Sequence, residues 1–121
     1  VETKSLENQL EFILFSFDAA NYMKQQLPTY QISYLNGDKT PQDIKSAGLD
    51  GIDYEYVVFQ ENLNYVEECN IYGLSSNSWT VNTEMLLDKF IKHKIDVVTT
   101  DFPSQFLDII SKKYELMYAP K

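Results

Sequence analysis

Short apolar or alternating segments recur along the chain, and each is followed by a stretch with helical periodicity. The nearly continuous apolar run over residues 12–17 is typical of a strand that is buried on both faces. Five such strand candidates begin near residues 12, 30, 51, 74 and 95, so successive starts lie 18, 21, 23 and 21 residues apart. This rhythm predicts repeated βα units and a parallel sheet.

The predicted helices between these strands have recognisable ends. The first helix, over residues 19–27, is expected to stop at Pro28, because the residue before proline avoids helical conformation. Thr40 is expected to cap the second helix, with Pro41 at its first position and Asp43 as the acid of a capping box. A single helix is predicted over residues 60–72, and Asn82 is expected to cap the helix that follows the fourth strand.

The chain of 121 residues is predicted to form a single domain, because no linker-like segment interrupts the alternation. Residues 1–11 resemble the end of a helix that precedes the first strand. No apolar run approaches the ~18–20 residues that a membrane-spanning helix needs. The sequence starts at Val1 without methionine, so a cytoplasmic location and a secreted or periplasmic one after signal removal both stay open.

Charge and rare residues exclude several kinds of chemistry. The net charge is −8 and all ten basic residues are lysine, so polyanionic partners such as nucleic acid are disfavoured. Without arginine, the chain lacks the side chain best suited to bidentate phosphate binding. Cys69 is the only cysteine and His93 the only histidine, so neither an internal disulfide nor a catalytic histidine pair can form.

Motifs at the predicted strand ends carry a resemblance to a known family. The sequence W-T-V-N occupies residues 79–82, and T-D-F-P follows at residues 100–103. Upstream, S-F-D ends the first strand at residues 16–18. In this order and spacing, the motifs resemble the C-terminal part of the glycerophosphodiester phosphodiesterase family, over about residues 12–110.

The resemblance implies a (β/α)8 TIM-type barrel, of which this chain would be the C-terminal five units. It also implies metal-dependent hydrolysis of glycerophosphodiesters to glycerol 3-phosphate and an alcohol, with calcium or magnesium as the divalent cation. The family's His-Arg-Gly, Glu-x-Asp, second histidine and Glu-x-Lys belong to the first three units, and none can be matched here. The catalytic residues and metal ligands are therefore expected in a missing N-terminal part, and the isolated chain is predicted to be inactive.

Five residues near strand ends are candidates for the wall of a substrate pocket. Three of them also have a structural interpretation: Trp79 and Phe17 could pack in the core, and Asp101 could cap the helix that begins near Pro103. Barrel active sites lie at the C-terminal ends of the strands, which favours the pocket interpretation for Trp79. The candidates are Trp79, Ser16, Phe17, Glu55 and Asp101.

Two further hypotheses concern the chain as a separate molecule. An open flavodoxin-like sheet would make it a stand-alone binding or regulatory module similar to a response receiver, with Asp18 and Thr80 near its strand ends. As part of a barrel, it would instead have open edges at residues 12–17 and 95–100. Such edges predict pairing with the missing N-terminal fragment or with a second copy of this chain.

Overall fold

Five parallel strands form one sheet in a computed structural model that describes residues 10–113. Each strand is followed by at least one helix. The strands are β1 (Glu11–Leu14), β2 (Gln31–Tyr34), β3 (Gly51–Glu55), β4 (Ser75–Trp79) and β5 (Val97–Val98), and the helices are α1 (Phe17–Gln26), α2 (Pro41–Ser46), α3 (Tyr56–Glu61), α4 (Tyr65–Tyr72), α5 (Glu84–Lys92) and α6 (Pro103–Lys113).

The spatial order of the strands is the order of the chain, β1-β2-β3-β4-β5. Every adjacent pair is parallel, with Ser33 opposite Gly51 and Asp53 opposite Asn77. A flavodoxin-like sheet has the order 2-1-3-4-5, so the hypothesis of an open flavodoxin-like module is wrong. Sequential parallel order is the arrangement of a (β/α)8 barrel, and the five units form part of such a barrel.

The helices pack against one face of the sheet, which we call the helix-covered face. Ile32 and Tyr34 of β2 and Ile52 and Tyr54 of β3 lie on it and are buried. The Tyr54 ring contacts Tyr34 edge-on at 6.3 Å between ring centroids, and aromatic contacts continue through Phe59 to the helix α5. This face therefore contains the hydrophobic core.

The opposite face, which we call the inner face, carries a different set of side chains. Side chains alternate between the two faces along a strand, and residues paired across neighbouring strands lie on the same face. The register of the strands therefore shows which side chains lie on the inner face. From β1 to β5 the inner face comprises Glu11, Ile13, Gln31, Ser33, Gly51, Asp53, Glu55, Ser75, Asn77, Trp79 and Val97. It is mostly polar, and its apolar residues on the two edge strands are exposed.

Several element boundaries differ from those predicted. Phe17 begins α1 rather than ending β1, because the side chain of Ser16 accepts a hydrogen bond from the backbone N–H of Ala19 and caps the helix. The predicted helix over residues 60–72 is divided into α3 and α4. Of the predicted helix end over residues 1–11, Glu11 lies in β1 and Leu10 precedes it outside any helix, whereas residues 1–9 lie outside the described residues.

The cap of α5 also differs from the prediction. Thr83, not Asn82, accepts the hydrogen bond from the backbone N–H of Leu86. The side chain of Asn82 instead bonds to the loop after β5. The capping box predicted at Thr40 and Asp43 is present in both directions.

Candidate functional site

The ends of β3 and β4 bring two of the predicted pocket residues together. Glu55 and Trp79 are the last residues of their strands and lie opposite each other on the inner face. The indole Nε1 of Trp79 donates a hydrogen bond of 2.8 Å to the backbone oxygen of Asp53. This bond fixes the indole at the carboxyl end of the sheet, and the Glu55 carboxylate beside it is exposed.

Ser16 and Phe17 serve structural roles at the start of α1. The hydroxyl of Ser16 is the helix cap, at 3.1 Å from the Ala19 nitrogen. The Phe17 ring packs edge-on against Tyr34 on the helix-covered face, and the ammonium group of Lys39 lies 4.8 Å from the Phe17 ring centroid. The Phe17 ring therefore lies on the helix-covered face, whereas Trp79 lies on the inner face.

Asp101 lies in a polar network that joins the loops after β4 and β5. The side-chain amide of Asn82 donates to Asp101 Oδ2 at 2.9 Å, and Asn82 Oδ1 accepts from the Asp101 backbone N–H at 2.9 Å. The hydroxyl of Thr100 also donates to Asn82 Oδ1. Asp101 is exposed and its carboxylate is bound to the neighbouring loop, so the network holds the two loops together at this end of the sheet.

Asp53 is a chemically distinctive residue that the sequence reasoning missed. Its side chain is 6% exposed, and its Oδ1 atom has no hydrogen-bond partner among the described residues. Burial, with a smaller effect of the Glu11 charge, raises the pKa of this carboxyl from its usual value to about 6. The alternation of β3 could have indicated it, because Gly51, Asp53 and Glu55 share a face and flank the apolar Ile52 and Tyr54.

The described residues do not fit the divalent cation that the family resemblance implies. Within residues 10–113, no group of three or more His, Cys, Asp or Glu side chains is close enough to hold a metal ion. His93 lies at the end of α5 next to Glu67, remote from the ends of β3 and β4.

No helix within residues 10–113 has the length and hydropathy needed to cross a membrane.

The arrangement resembles one wall of a pocket more than a complete catalytic centre. It offers an aromatic face at Trp79, a carboxylate at Glu55 and a polar loop network around Asp101. These groups can pack against a small polyol and accept hydrogen bonds from its hydroxyls. Among residues 10–113, the strands place no histidine, lysine or arginine on the inner face.

Comparisons with known proteins agree with the fold and the motifs. The model of the glycerophosphoryl diester phosphodiesterase family matches residues 2–105. The chain belongs to this family, which confirms the resemblance inferred from W-T-V-N and T-D-F-P. Comparison with curated proteins gives no match.

The solved structures that share the fold include the following three. A glycerophosphodiester phosphodiesterase from Parabacteroides distasonis is 33% identical with a TM-score of 0.85, over 90% of this chain and 46% of that one. A candidate glycerophosphoryl diester phosphodiesterase from Silicibacter pomeroyi is 23% identical with a TM-score of 0.76, over 89% and 39%. An Oleispira antarctica phosphodiesterase in complex with sn-glycerol-3-phosphate is 19% identical with a TM-score of 0.67, over 84% and 42%.

The chain thus spans less than half the length of the solved relatives that it matches. The match with the Parabacteroides enzyme confirms that the five βα units form part of a TIM-type barrel. The relatives' remaining length has no counterpart in these 121 residues.

Proposed function

We propose that this chain is the C-terminal portion of a metal-dependent glycerophosphodiester phosphodiesterase, within one barrel domain. The observation that carries the proposal is the 33% identity with the Parabacteroides enzyme over 90% of this chain. In the proposed reaction, a glycerophosphodiester is hydrolysed to glycerol 3-phosphate and an alcohol. The catalytic residues and the ligands of calcium or magnesium come from the N-terminal portion.

The chain's own contribution would be to bind and orient the substrate. The Trp79 indole, held by its bond to the Asp53 carbonyl, offers an apolar face for the carbon atoms of a glycerol group. Glu55 on the adjacent strand can accept hydrogen bonds from glycerol hydroxyls. The product complex of the Oleispira relative supports glycerol 3-phosphate as the bound species.

The other three candidates would act at the margin of this pocket. Asp101 would fix the loop after β5 through Asn82. Ser16 and Phe17 would keep the start of α1 in place through their cap and packing contacts. We assign these three residues no contact with the reacting phosphate.

We further propose that the chain works with an N-terminal partner portion rather than as a homodimer. Two copies of this chain would supply ten βα units, more than the eight that close a TIM barrel. This chain covers 46% of the Parabacteroides relative, and the remaining length of such a relative would supply the additional units.

A hydrolysis assay tests the proposal. The full 121-residue chain, incubated with glycerophosphocholine and calcium or magnesium, is expected to give no turnover above background. Loss of the catalytic groups removes an acceleration on the order of 10¹⁰-fold or more for phosphate esters. Turnover by the chain alone would contradict the assignment of catalysis to the partner portion.

A hybrid enzyme tests the pocket. It joins the N-terminal portion of the Parabacteroides enzyme, up to where its match begins, to this chain. The hybrid is expected to hydrolyse the substrate, and Trp79→Ala is expected to raise its KM about tenfold. Tyr22→Ala, which removes an exposed ring from α1, is the matched control and should leave KM unchanged.

A further inference from the structure

Two of the three carboxylates on the inner face interact with each other: Glu11 on the edge strand β1 and Asp53 on the central strand β3. Glu11 on β1 is exposed, and its Oε2 atom accepts a hydrogen bond of 2.6 Å from the hydroxyl of Ser33. Asp53, two strands away, is more than nine-tenths buried, and its Oδ1 atom has no partner within the described residues. The two charges are close enough to influence each other.

The polar neighbours of this pair are bonded to one another. The side-chain amide of Gln31 donates to Ser75 Oγ at 3.0 Å, and the hydroxyl of Thr99 donates to Asn77 Oδ1 at 3.2 Å. The hydroxyl of Ser33 donates to Glu11, whereas Asp53 Oδ1 receives no hydrogen bond from the described residues. The Glu11–Asp53 pair therefore remains rich in acceptors and poor in donors.

The strands place no lysine of residues 10–113 on the inner face. Between residues 10 and 113, every lysine belongs to a helix or to a loop, and none belongs to a strand. Lys24, for example, is paired with Asp50 next to α1. With no arginine in the sequence, the described chain offers the pair no cation.

Completion of the barrel would enclose both carboxylates. The exposed Glu11 lies on β1, the edge strand that would pair with the preceding barrel unit. Burial of a carboxylate is strongly unfavourable unless a cation or hydrogen-bond donors compensate it. A second enclosed carboxylate next to Asp53 increases this requirement.

We propose that the segment completing the barrel places a lysine or arginine side chain against Glu11 and Asp53 on the inner face. The inference rests on the proposed function, since it assumes that an N-terminal portion closes the sheet. Its basis is charge complementarity: the Glu11–Asp53 pair has an unpartnered carboxylate oxygen and no cation among residues 10–113. The same pairing fixes the register of the incoming strand, because a cation one position away would lie on the opposite face.

The test compares Asp53→Asn in two settings at pH 8, where the carboxyl is ionised. In the chain alone, D53N removes an uncompensated buried charge and is expected to raise the equilibrium constant for folding at least tenfold. In the hybrid with the Parabacteroides N-terminal portion, the same substitution leaves the cation unpaired and is expected to lower that constant at least tenfold. Urea unfolding, followed by circular dichroism, measures both constants.

Two further variants accompany this comparison. Asp108→Asn is the matched control, because Asp108 is exposed on α6 and its ion pair with Lys112, one helical turn away, lies at the surface. It should change the constant less than threefold in both settings. Glu11→Gln, at an exposed position of the chain alone, should be near neutral there and destabilising in the hybrid.

The outcomes separate the two proposals. A hybrid that does not unfold as one cooperative unit would overturn completion of the barrel and this inference with it. A cooperative hybrid in which D53N and E11Q are neutral or stabilising would overturn the proposed cation alone, and would indicate water or a retained proton at Asp53. A change of sign between the two settings supports the proposal.

Discussion

The two faces of the sheet differ in how completely the chain itself covers them. On the helix-covered face, Ile32 is 0% exposed and Ile52 is 1% exposed, because the helices pack directly on them. On the inner face, Ile13 is 44% and Val97 is 50% exposed, although both lie on strands of the same sheet. One face is a finished core, whereas the other lacks its opposite wall.

The difference shows where stability and function reside. The helix-covered face buries aliphatic and aromatic side chains in contact with each other, which is the main source of folding free energy. The inner face carries Ser33, Asp53 and Asn77 in place of the branched aliphatic residues that dominate many barrel interiors. We infer that its polar groups are suited to contacts with the rest of a barrel and its ligand.

The largest expected effect comes from a truncation on the helix-covered face. Ile32→Ala in the full chain should lower the free energy of unfolding by about 2–5 kcal/mol, because a fully buried side chain is lost and a cavity remains. Urea unfolding measures the change. A loss below about 1 kcal/mol would contradict the description of this face as the core.

The strands and the alternation of strands with helices were largely predicted from sequence, and the reason is physical. Alternating and apolar runs identify strands because burial of one or both faces imposes that pattern. All five strands were predicted near their observed positions, and the cap at Thr40 followed from local hydrogen bonding. The start of α3 at Tyr56 was missed, because the strand β3 ends at Glu55 and α3 begins at the next residue, without a loop.

The second expected effect concerns pH and the buried carboxyl of the inner face. Because the pKa of Asp53 is raised to about 6 in the folded chain, the folded state holds this proton more tightly than the unfolded state, whose pKa is near 3.9. The contribution of Asp53 to the free energy of unfolding is therefore fully present below about pH 4 and is lost as the pH rises through 6. Its size is at most about 3 kcal/mol.

Asp53→Asn isolates this contribution from those of other carboxyl groups. Urea unfolding of the full chain and of D53N at pH 4.5, 5.5, 6.5 and 7.5 gives the difference in free energy of unfolding. As the pH rises from 4.5 to 7.5, the free energy of unfolding of D53N should increase relative to that of the full chain. Parallel curves for the two proteins would mean that Asp53 titrates normally.

The inner face was less predictable than the core. Trp79 and Glu55 were identified at strand ends, and they lie opposite each other, because parallel strands end at one edge of a sheet. Asp53 was missed because its significance depends on burial and on Glu11, which is 42 positions earlier in the sequence. Asn82 was expected to cap α5, but its contact with Asp101 depends on two loops that meet only in the fold.

The third expected effect arises at a crowded position of the inner face. A Cβ atom added at Gly51 would lie 2.0 Å from Ser75 Oγ and 2.7 Å from the Ser75 backbone oxygen. Gly51→Ala should therefore lower the free energy of unfolding by about 1–3 kcal/mol, because the β3–β4 pairing must shift. Gly48→Ala is a poor control because of its positive φ angle, so Ser46→Ala at the exposed end of α2 serves instead. A neutral G51A would show that the inner face tolerates bulk even at its centre.

The smallest expected effect is the counterpart of the first. Ile13→Ala makes the same chemical change as Ile32→Ala, but on the inner face of the edge strand β1, where the side chain is nearly half exposed. In the full chain it should lower the free energy of unfolding by less than about 1 kcal/mol, because few contacts are lost. In the hybrid barrel, where the incoming units would cover Ile13, the same substitution should cost about 2 kcal/mol or more. Urea unfolding of both proteins gives the two values. Equal small losses would mean that the inner face stays uncovered in the hybrid, and an equal large loss in the chain alone would mean that this face is already closed.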